Sequence, residues 1–267
     1  MTARAVTVLQ QVDLIAAEDT RTSRPLLDRY GIMAPTLSLH QHNERKQALL
    51  LVEKLQAGLD IALISDAGTP AVSDPGARLV DEILRQGGKV VPIPGPSAVT
   101  ALLSVAGLSC PRFCFYGFLS AKNGERQKEL RALRHEPFAL VFYEAPHRIQ
   151  ATLEALLQEW GGERRVVIGR ELTKRFETVV RLTLAEAVQW VTADANHQRG
   201  EFVLALDPGS SPDVEALNDD QDRWLRALLQ RLPVKEAVQV MVEAGGGARN
   251  ALYERALQLR NENLPSP

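Results

Sequence analysis

The chain has 267 residues, with 31 basic against 33 acidic side chains, a formal charge of -2 and 45% apolar residues. That apolar fraction can fill one large core or several small ones and excludes a chain dominated by disorder. No apolar run approaches the ~18 residues of a membrane span, and Met1-Thr2-Ala3-Arg4 leads into an amphipathic pattern rather than a signal-peptide core, so a cytoplasmic protein with no membrane partner is expected.

Short apolar runs at 12–17, 60–64 and 89–93 alternate with helical periodicity at 3–11, 22–30, 43–57, 77–86 and 97–105. That alternation predicts an α/β domain over 1–109, built on a mainly parallel sheet with crossover helices. Gly107-Leu108-Ser109-Cys110-Pro111 interrupts the pattern, and an aromatic-rich run at 113–118 opens a second α/β domain, 110–207. Its predicted elements are helices at 121–134, 148–159 and 184–191 and strands at 138–143, 165–168, 176–183 and 201–206, with some antiparallel pairing. Residues 208–220, rich in Asp, Pro and Ser, read as a linker. A C-terminal helical unit, 221–267, follows with helices at 223–231, 234–243 and 249–260; a helix-turn-helix and a bundle packed on the rest both suit that spacing. The two cysteines, Cys110 and Cys114, are too few for a disulfide framework or a zinc site, and no metal site is expected.

Five polar clusters fall at predicted strand ends, where open α/β sheets place ligands. Ser65-Asp66-Ala67-Gly68-Thr69-Pro70-Ala71-Val72-Ser73-Asp74-Pro75-Gly76 follows the second apolar run. Small residues there let a ligand approach the backbone. Ser73 or Asp74 reads as a helix cap with Pro75 in the first turn, which leaves Asp66 as the better ligand candidate. The segment lacks both the Gly-Lys-Ser/Thr ending of a phosphate loop and the Gly-x-Gly-x-x-Gly spacing of a dinucleotide site. A carboxylate there suits an amino group or hydroxyls, not a phosphate. Pro94-Gly95-Pro96-Ser97-Ala98 is a second, proline-fixed turn, with Ser97 as the apparent cap. The others are Glu18-Asp19-Thr20-Arg21, the stretch from Phe142 and Tyr143 through Glu144 to His147 and Arg148, and the stretch that begins Gly169-Arg170-Glu171-Leu172. Singly each is ambiguous: the first suits a helix cap with a surface ion pair, and His147 an ordinary helix start. Their joint density of charge beside Pro/Gly turns points to a site.

Together with Gly200-Glu201-Phe202, Leu232-Pro233-Val234-Lys235 and Asn250-Ala251-Leu252-Tyr253, these segments resemble, in order and over nearly the whole chain, the ribosomal RNA small subunit methyltransferase I family. That family lies within the tetrapyrrole (corrin/porphyrin) methylase superfamily. The resemblance implies a two-domain tetrapyrrole-methylase-like fold (class III methyltransferase) with a helix-turn-helix-like tail. It implies S-adenosyl-L-methionine as cofactor in a cleft between the α/β domains. The implied activity is 2′-O-methylation of a cytidine in the decoding region of small-subunit ribosomal RNA, with the 30S particle as partner and a homodimer as the assembly. By the same resemblance, Ser65, Asp66, Ala67, Gly68, Thr69, Val72 and Ser73 line the cofactor, as do Pro94, Gly95, Ser97 and Ala98. So do Phe142, Tyr143, Arg170, Glu171, Leu172, Glu201, Phe202 and Val203. Members of the family open with a strand and a Pro-Thr-Pro-Ile-Gly-Asn-Leu type loop, whereas this sequence starts at the helix that follows, so the fold is expected without its first strand.

Methyl transfer to a ribose hydroxyl gains from orientation and from a base that removes the proton. Glu144 and His147 are the foremost base candidates, with Asp19 and Glu18 also to be tested, and Asp19 and Arg21 are expected to position the ribose. Arg21, Arg148, Arg170 and Lys174 can hold flanking phosphates. The 121–134 helix, with Lys122, Arg126, Lys128, Arg131 and Arg134, reads more readily as a solvated amphipathic helix than as an RNA face. The tail's Arg249, Arg255 and Arg260 are a second RNA candidate. A small-molecule tetrapyrrole methylase and a non-enzymatic RNA-binding factor are the alternative readings.

Overall fold

Leu14-Ile15-Ala16-Ala17 is buried at every position, which suits the centre of a parallel sheet. As β1 (Leu14–Ala17) it lies between β2 (Thr36–Ser38) and β3 (Ile61–Ile64), both parallel to it, with Ile15 opposite Thr36 and Ala62. In this computed structural model, which describes residues 1–108, 110–209, 219–247 and 249–262, the sheet belongs to the first of two compact units. That unit comprises Met1–Gly107 with Leu172–Glu177. Its helices are α1 (Ala3–Gln11), α2 (Thr20–Arg29), α3 (Glu44–Gln56), α4 (Ala77–Arg85) and α5 (Ala98–Ala106). Alternate residues of β1 feed two cores: Leu14 and Ala16 meet Leu51 of α3 and Leu79 of α4, while Ile15 meets Leu9 of α1 and Leu27 of α2. Because the strands are parallel, segments 18–21, 38–44 and 65–76 leave the sheet at the same edge.

Two details depart from the sequence reading. Residues 89–93 form no strand, and Val90 and Val91 are 40% and 48% exposed. Pro92 removes a ladder donor, and apolar β-formers alone do not make a strand without a neighbour to pair with. Conversely β2, unforeseen, is only three residues long, too short to show alternation.

The second unit, Leu108–Glu171 with Thr178–Pro267, holds a five-stranded sheet of order β4-β5-β8-β6-β7. Its strands are β4 (Phe113–Phe118), β5 (Ala139–Glu144), β6 (Arg165–Arg170), β7 (Thr178–Thr183) and β8 (Phe202–Leu206). Only β4 and β5 are parallel. Leu140 and Phe142 of β5, with Ile168 and Leu204, pack with Ile149, Leu153 and Trp160 of α7 (Ile149–Trp160). Helix α6 (Asn123–Leu133) is held by the Trp160 indole, which donates to the Leu130 carbonyl at 2.7 Å. Helix α8 (Leu184–Ala193) begins in a capping box between Thr183 and Glu186.

The expected linker falls largely on 210–218, outside the described residues. Beyond it α9 (Asp219–Leu229), α10 (Val234–Glu243) and α11 (Arg249–Glu262) enclose their own core of Leu225, Val238, Met241, Leu252 and Leu259. Asp222 joins α9 to α11 by accepting from Arg255 at 2.6 Å while also pairing with Arg226, and these guanidiniums draw its carboxyl down to about 2. Arg255 is thus tied to the bundle rather than offered to a ligand. Two cations of α6 are similarly engaged, Arg126 by burial and Arg131 by Glu159 at 3.0 Å, while Lys122 at its N-cap makes an exposed pair with Glu125 at 3.0 Å.

Candidate active site

The ends of β1 and β3 are laced together by carboxylates. Glu18 accepts from the Asp66 N–H at 3.3 Å, and Asp66 accepts from the Asp19 N–H at 3.3 Å. Asp19 caps α2 through the Arg21 N–H at 2.8 Å and takes the Arg21 guanidinium at 3.1 and 2.8 Å. Those Arg21 bonds hold its carboxyl at about 2. A carboxylate so stabilised is a poor base; its work is to cap the helix and present Arg21, whose side chain is 90% exposed.

The loop after β3 exposes Asp66, Ala67, Gly68 and Thr69, and Ser65 donates to the Ala67 carbonyl at 3.0 Å. Ala71 and Ser73 are left-handed, with φ of 68° and 60°, a conformation costing about 1 kcal/mol or more for a non-glycine residue and found where a site demands it. The predicted cap at Ser73 or Asp74 is not formed. The N-cap of α4 is Gly76, at φ 127°, and the first-turn amides are satisfied from elsewhere: buried Glu44 of α3 accepts from the N–H groups of Gly76 and Arg78, each at 3.0 Å. A Cβ at position 76 would stand 2.5 Å from Leu63 Cδ2, so only glycine fits there. Asn43, beside Glu44, accepts from the His40 N–H at 2.8 Å and donates to the Ser38 carbonyl at 3.0 Å, which closes the turn after β2. The sequence reading missed this 38–44 segment; its one signal was an Asn-Glu pair at a helix start.

Asp74 takes another role. Burial first, then the Glu18 charge and lastly that of Asp66, push its carboxyl up to about 6, against a lowering bond from Ser65. Three carboxylates that repel one another, with no Lys or Arg between 65 and 76, favour a ligand carrying positive charge and disfavour a phosphate. In the second turn of this unit Gly95 faces open space, and Ser97 is the N-cap of α5 without a side-chain capping bond. Val72 and Pro94 are exposed, and Ala98 begins α5.

In the second unit Glu144 ends β5 and is 2% exposed. Its carboxylate accepts from Thr152 Oγ1 at 2.6 Å and the Ala145 N–H at 2.8 Å and pairs with Arg148 Nε at 3.2 Å. Arg148 in turn donates to the Leu119 carbonyl. His147, on the turn these bonds shape, is exposed. Arg170 is buried and donates to the Arg199 carbonyl at 2.7 Å, so it braces the 199–201 segment instead of facing solvent. Glu171, left-handed at φ 51°, exchanges backbone bonds with Glu201: its N–H donates to the Glu201 carbonyl and its carboxylate accepts the Glu201 N–H, both at 2.9 Å. Gly200 is required beneath it, since a Cβ there would lie 2.3 Å from Glu171 Cγ. Phe142, Phe202 and Val203 are buried, so contact with a ligand falls to their backbone; Tyr143 is half-buried, and Leu172, partly buried, belongs to the first unit. Among the described residues no cluster of His, Cys, Asp or Glu suits a metal, and no helix is long and apolar enough to cross a membrane.

The family model that covers most of the chain defines its class as a methylase. Residues 1–188 match the family model of Tetrapyrrole (Corrin/Porphyrin) Methylases, and residues 215–260 match that of the RsmI C-terminal HTH domain. Solved structures agree on the fold: a diphthine synthase superposes with a TM-score of 0.57 at 15% identity, covering 78% of this chain and 84% of that one. A uroporphyrin-III C-methyl transferase from Thermus thermophilus, complexed with S-adenyl homocysteine, gives 0.55 at 18%, covering 78% and 90%. A Pseudomonas aeruginosa protein named ribosomal RNA small subunit methyltransferase I is 46% identical over 97% of this chain and 93% of its own length. One of the same name from Escherichia coli O157:H7 is 46% identical over 97% and 90%. The chain belongs to the ribosomal RNA small subunit methyltransferase I family of tetrapyrrole methylases.

Removing the Glu44 carboxylate strands two amides, so Glu44→Ala is expected to cost about 1–3 kcal/mol in urea unfolding, and Glu44→Gln, which keeps an acceptor oxygen, clearly less. Asp74 holds its proton more tightly folded than unfolded. Its contribution to stability is therefore complete only below the usual carboxylate value of 3.8 and is lost as pH rises from there through about 6. Asp74→Asn is expected to gain about 1 kcal/mol on wild type at pH 7, a figure reduced for partial exposure, and to lose that advantage at pH 4. Unfolding curves at the two pH values check this.

Proposed function

We propose that the chain transfers a methyl group from S-adenosyl-L-methionine to the 2′-hydroxyl of a cytidine in the decoding region of small-subunit ribosomal RNA. In this reading it acts in the cytoplasm, on the 30S particle, as a homodimer. The observation that carries the reading is 46% identity, over nearly the full length, to relatives named for that RNA, together with strand-end loops that suit a cationic zwitterion better than a nucleotide phosphate.

The cofactor, when bound, supplies an electrophilic methyl carbon on a sulfonium, which it would give to the ribose oxygen while keeping the electron pair of the broken C–S bond as a neutral thioether. The exposed backbone of 66–69 and the turn at 94–98 offer amides and carbonyls for it, and the field of Glu18, Asp66 and Asp74 favours its positive groups. His147 takes the hydroxyl proton and passes it to solvent. Glu144 is a positioning residue. Both of its oxygens are engaged by Thr152, Ala145 and Arg148, which hold the turn that carries His147. Arg21, presented by Asp19, meets a phosphate flanking the target.

With tritiated-methyl cofactor and 30S particles lacking the modification, His147→Ala is expected to lower kcat by about 100-fold or more while calorimetry finds cofactor affinity unchanged. Full-rate transfer by His147→Ala would remove it as the base. No transfer to 30S particles by a folded wild type that binds the cofactor would remove the acceptor assignment.

A further inference from the structure

The edge strand β4 carries a β-bulge between Phe115 and Gly117, where Gly117 adopts φ 86°. In a regular strand residues 115 and 118 face opposite sides of the sheet. The bulge changes this: Phe118 falls opposite Tyr143, and both Phe115 and Phe118 meet the Tyr143 ring, at 4.8 and 5.7 Å. Tyr116 turns instead towards Phe142, which lies in the core against Trp160. The outcome is an aromatic platform at the carboxyl end of the parallel β4–β5 pair, the end at which such strands present ligands. Its outer member, Phe118, remains 49% exposed.

We infer that the Phe118 ring is the stacking surface for the unpaired nucleobase of the methyl-accepting nucleotide. The inference rests on the functional reading above. A ribose hydroxyl inside a folded RNA reaches a methyl donor only when its nucleotide is splayed out, and a splayed base is held by stacking on an aromatic face. The surroundings match a nucleotide. Exposed His147 stands on the turn after β5, Arg148 fixes the Leu119 carbonyl next to Phe118, and Lys122, with 79% of its side chain exposed, opens the helix that follows. The ring gives the base a π face, and the exposed Lys122 ammonium suits its phosphates.

The test compares Phe118→Ala, Phe118→Leu and Phe118→Tyr in steady-state methylation of 30S particles, with cofactor affinity measured by calorimetry. Phe118→Ala is expected to lower kcat/KM for the particle about 10-fold or more, with cofactor affinity and melting temperature unchanged. Phe118→Leu, apolar but without a π face, stays with Ala, and Phe118→Tyr returns to wild type. Equal rates for Leu and Phe, no effect of Ala, or a parallel loss of cofactor affinity overturns the inference. If wild type binds cofactor but methylates no particle, the functional reading fails by itself. The stacking surface is then read from binding of a fluorescein-labelled, cytidine-bearing single-stranded oligoribonucleotide: the same order of variants supports it, and equal binding by all four proteins overturns it.

Discussion

The buried carboxylate of Glu44 is the contact on which the shape of the 65–76 loop depends. Helix α4 starts at a glycine whose φ no other residue would readily adopt, with no side chain of its own to satisfy its first amides. Glu44 reaches across from α3 to accept two of them, which frees Ser65, Asp66 and Asp74 from capping work. With the start of α4 pinned from outside, the loop can keep two left-handed non-glycine residues and a carboxyl pushed up to about 6. Such strain persists only where its surroundings enforce it. Glu144 does the same service in the second unit, where it binds the amide of Ala145 and the hydroxyl of Thr152 at the start of the next helix.

This use of carboxylates divides the acidic residues by role. Glu44, Glu144, Asp19 and Glu171 spend their oxygens on backbone amides or on arginines. Glu18, Asp66 and Asp74 share one strand-end edge and so create a field instead of neutralising one. A ligand with ammonium and sulfonium groups relieves that field, and a phosphate would add to it. In the function proposed above, proton removal falls to a group outside that frame, His147, which is exposed on a braced turn.

Much of this was legible in the sequence because the signals were local. The apolar runs before 18 and 65 marked β1 and β3. Long-range contacts were not legible. Glu44 carries no local signal of its role, because its partners lie more than 30 residues on. Asp74, beside Pro75 and Gly76, had every local mark of a cap, yet the cap came from another helix. Arg126 had the spacing of a solvated face and is buried, and the apolar stretch at 89–93 found no strand to pair with. The turn of Phe118 onto the Tyr143 face depends on a bulge that no periodicity announces.

The most direct measurement is nucleoside mass spectrometry of ribosomal RNA from unmodified 30S particles incubated with this protein and cofactor bearing a trideuterated methyl group. The account predicts label on the ribose 2′-oxygen of a cytidine, strongly reduced at equal incubation time when His147→Ala replaces wild type. Label on a base carbon or nitrogen, or on no nucleoside while the protein binds cofactor, would contradict it.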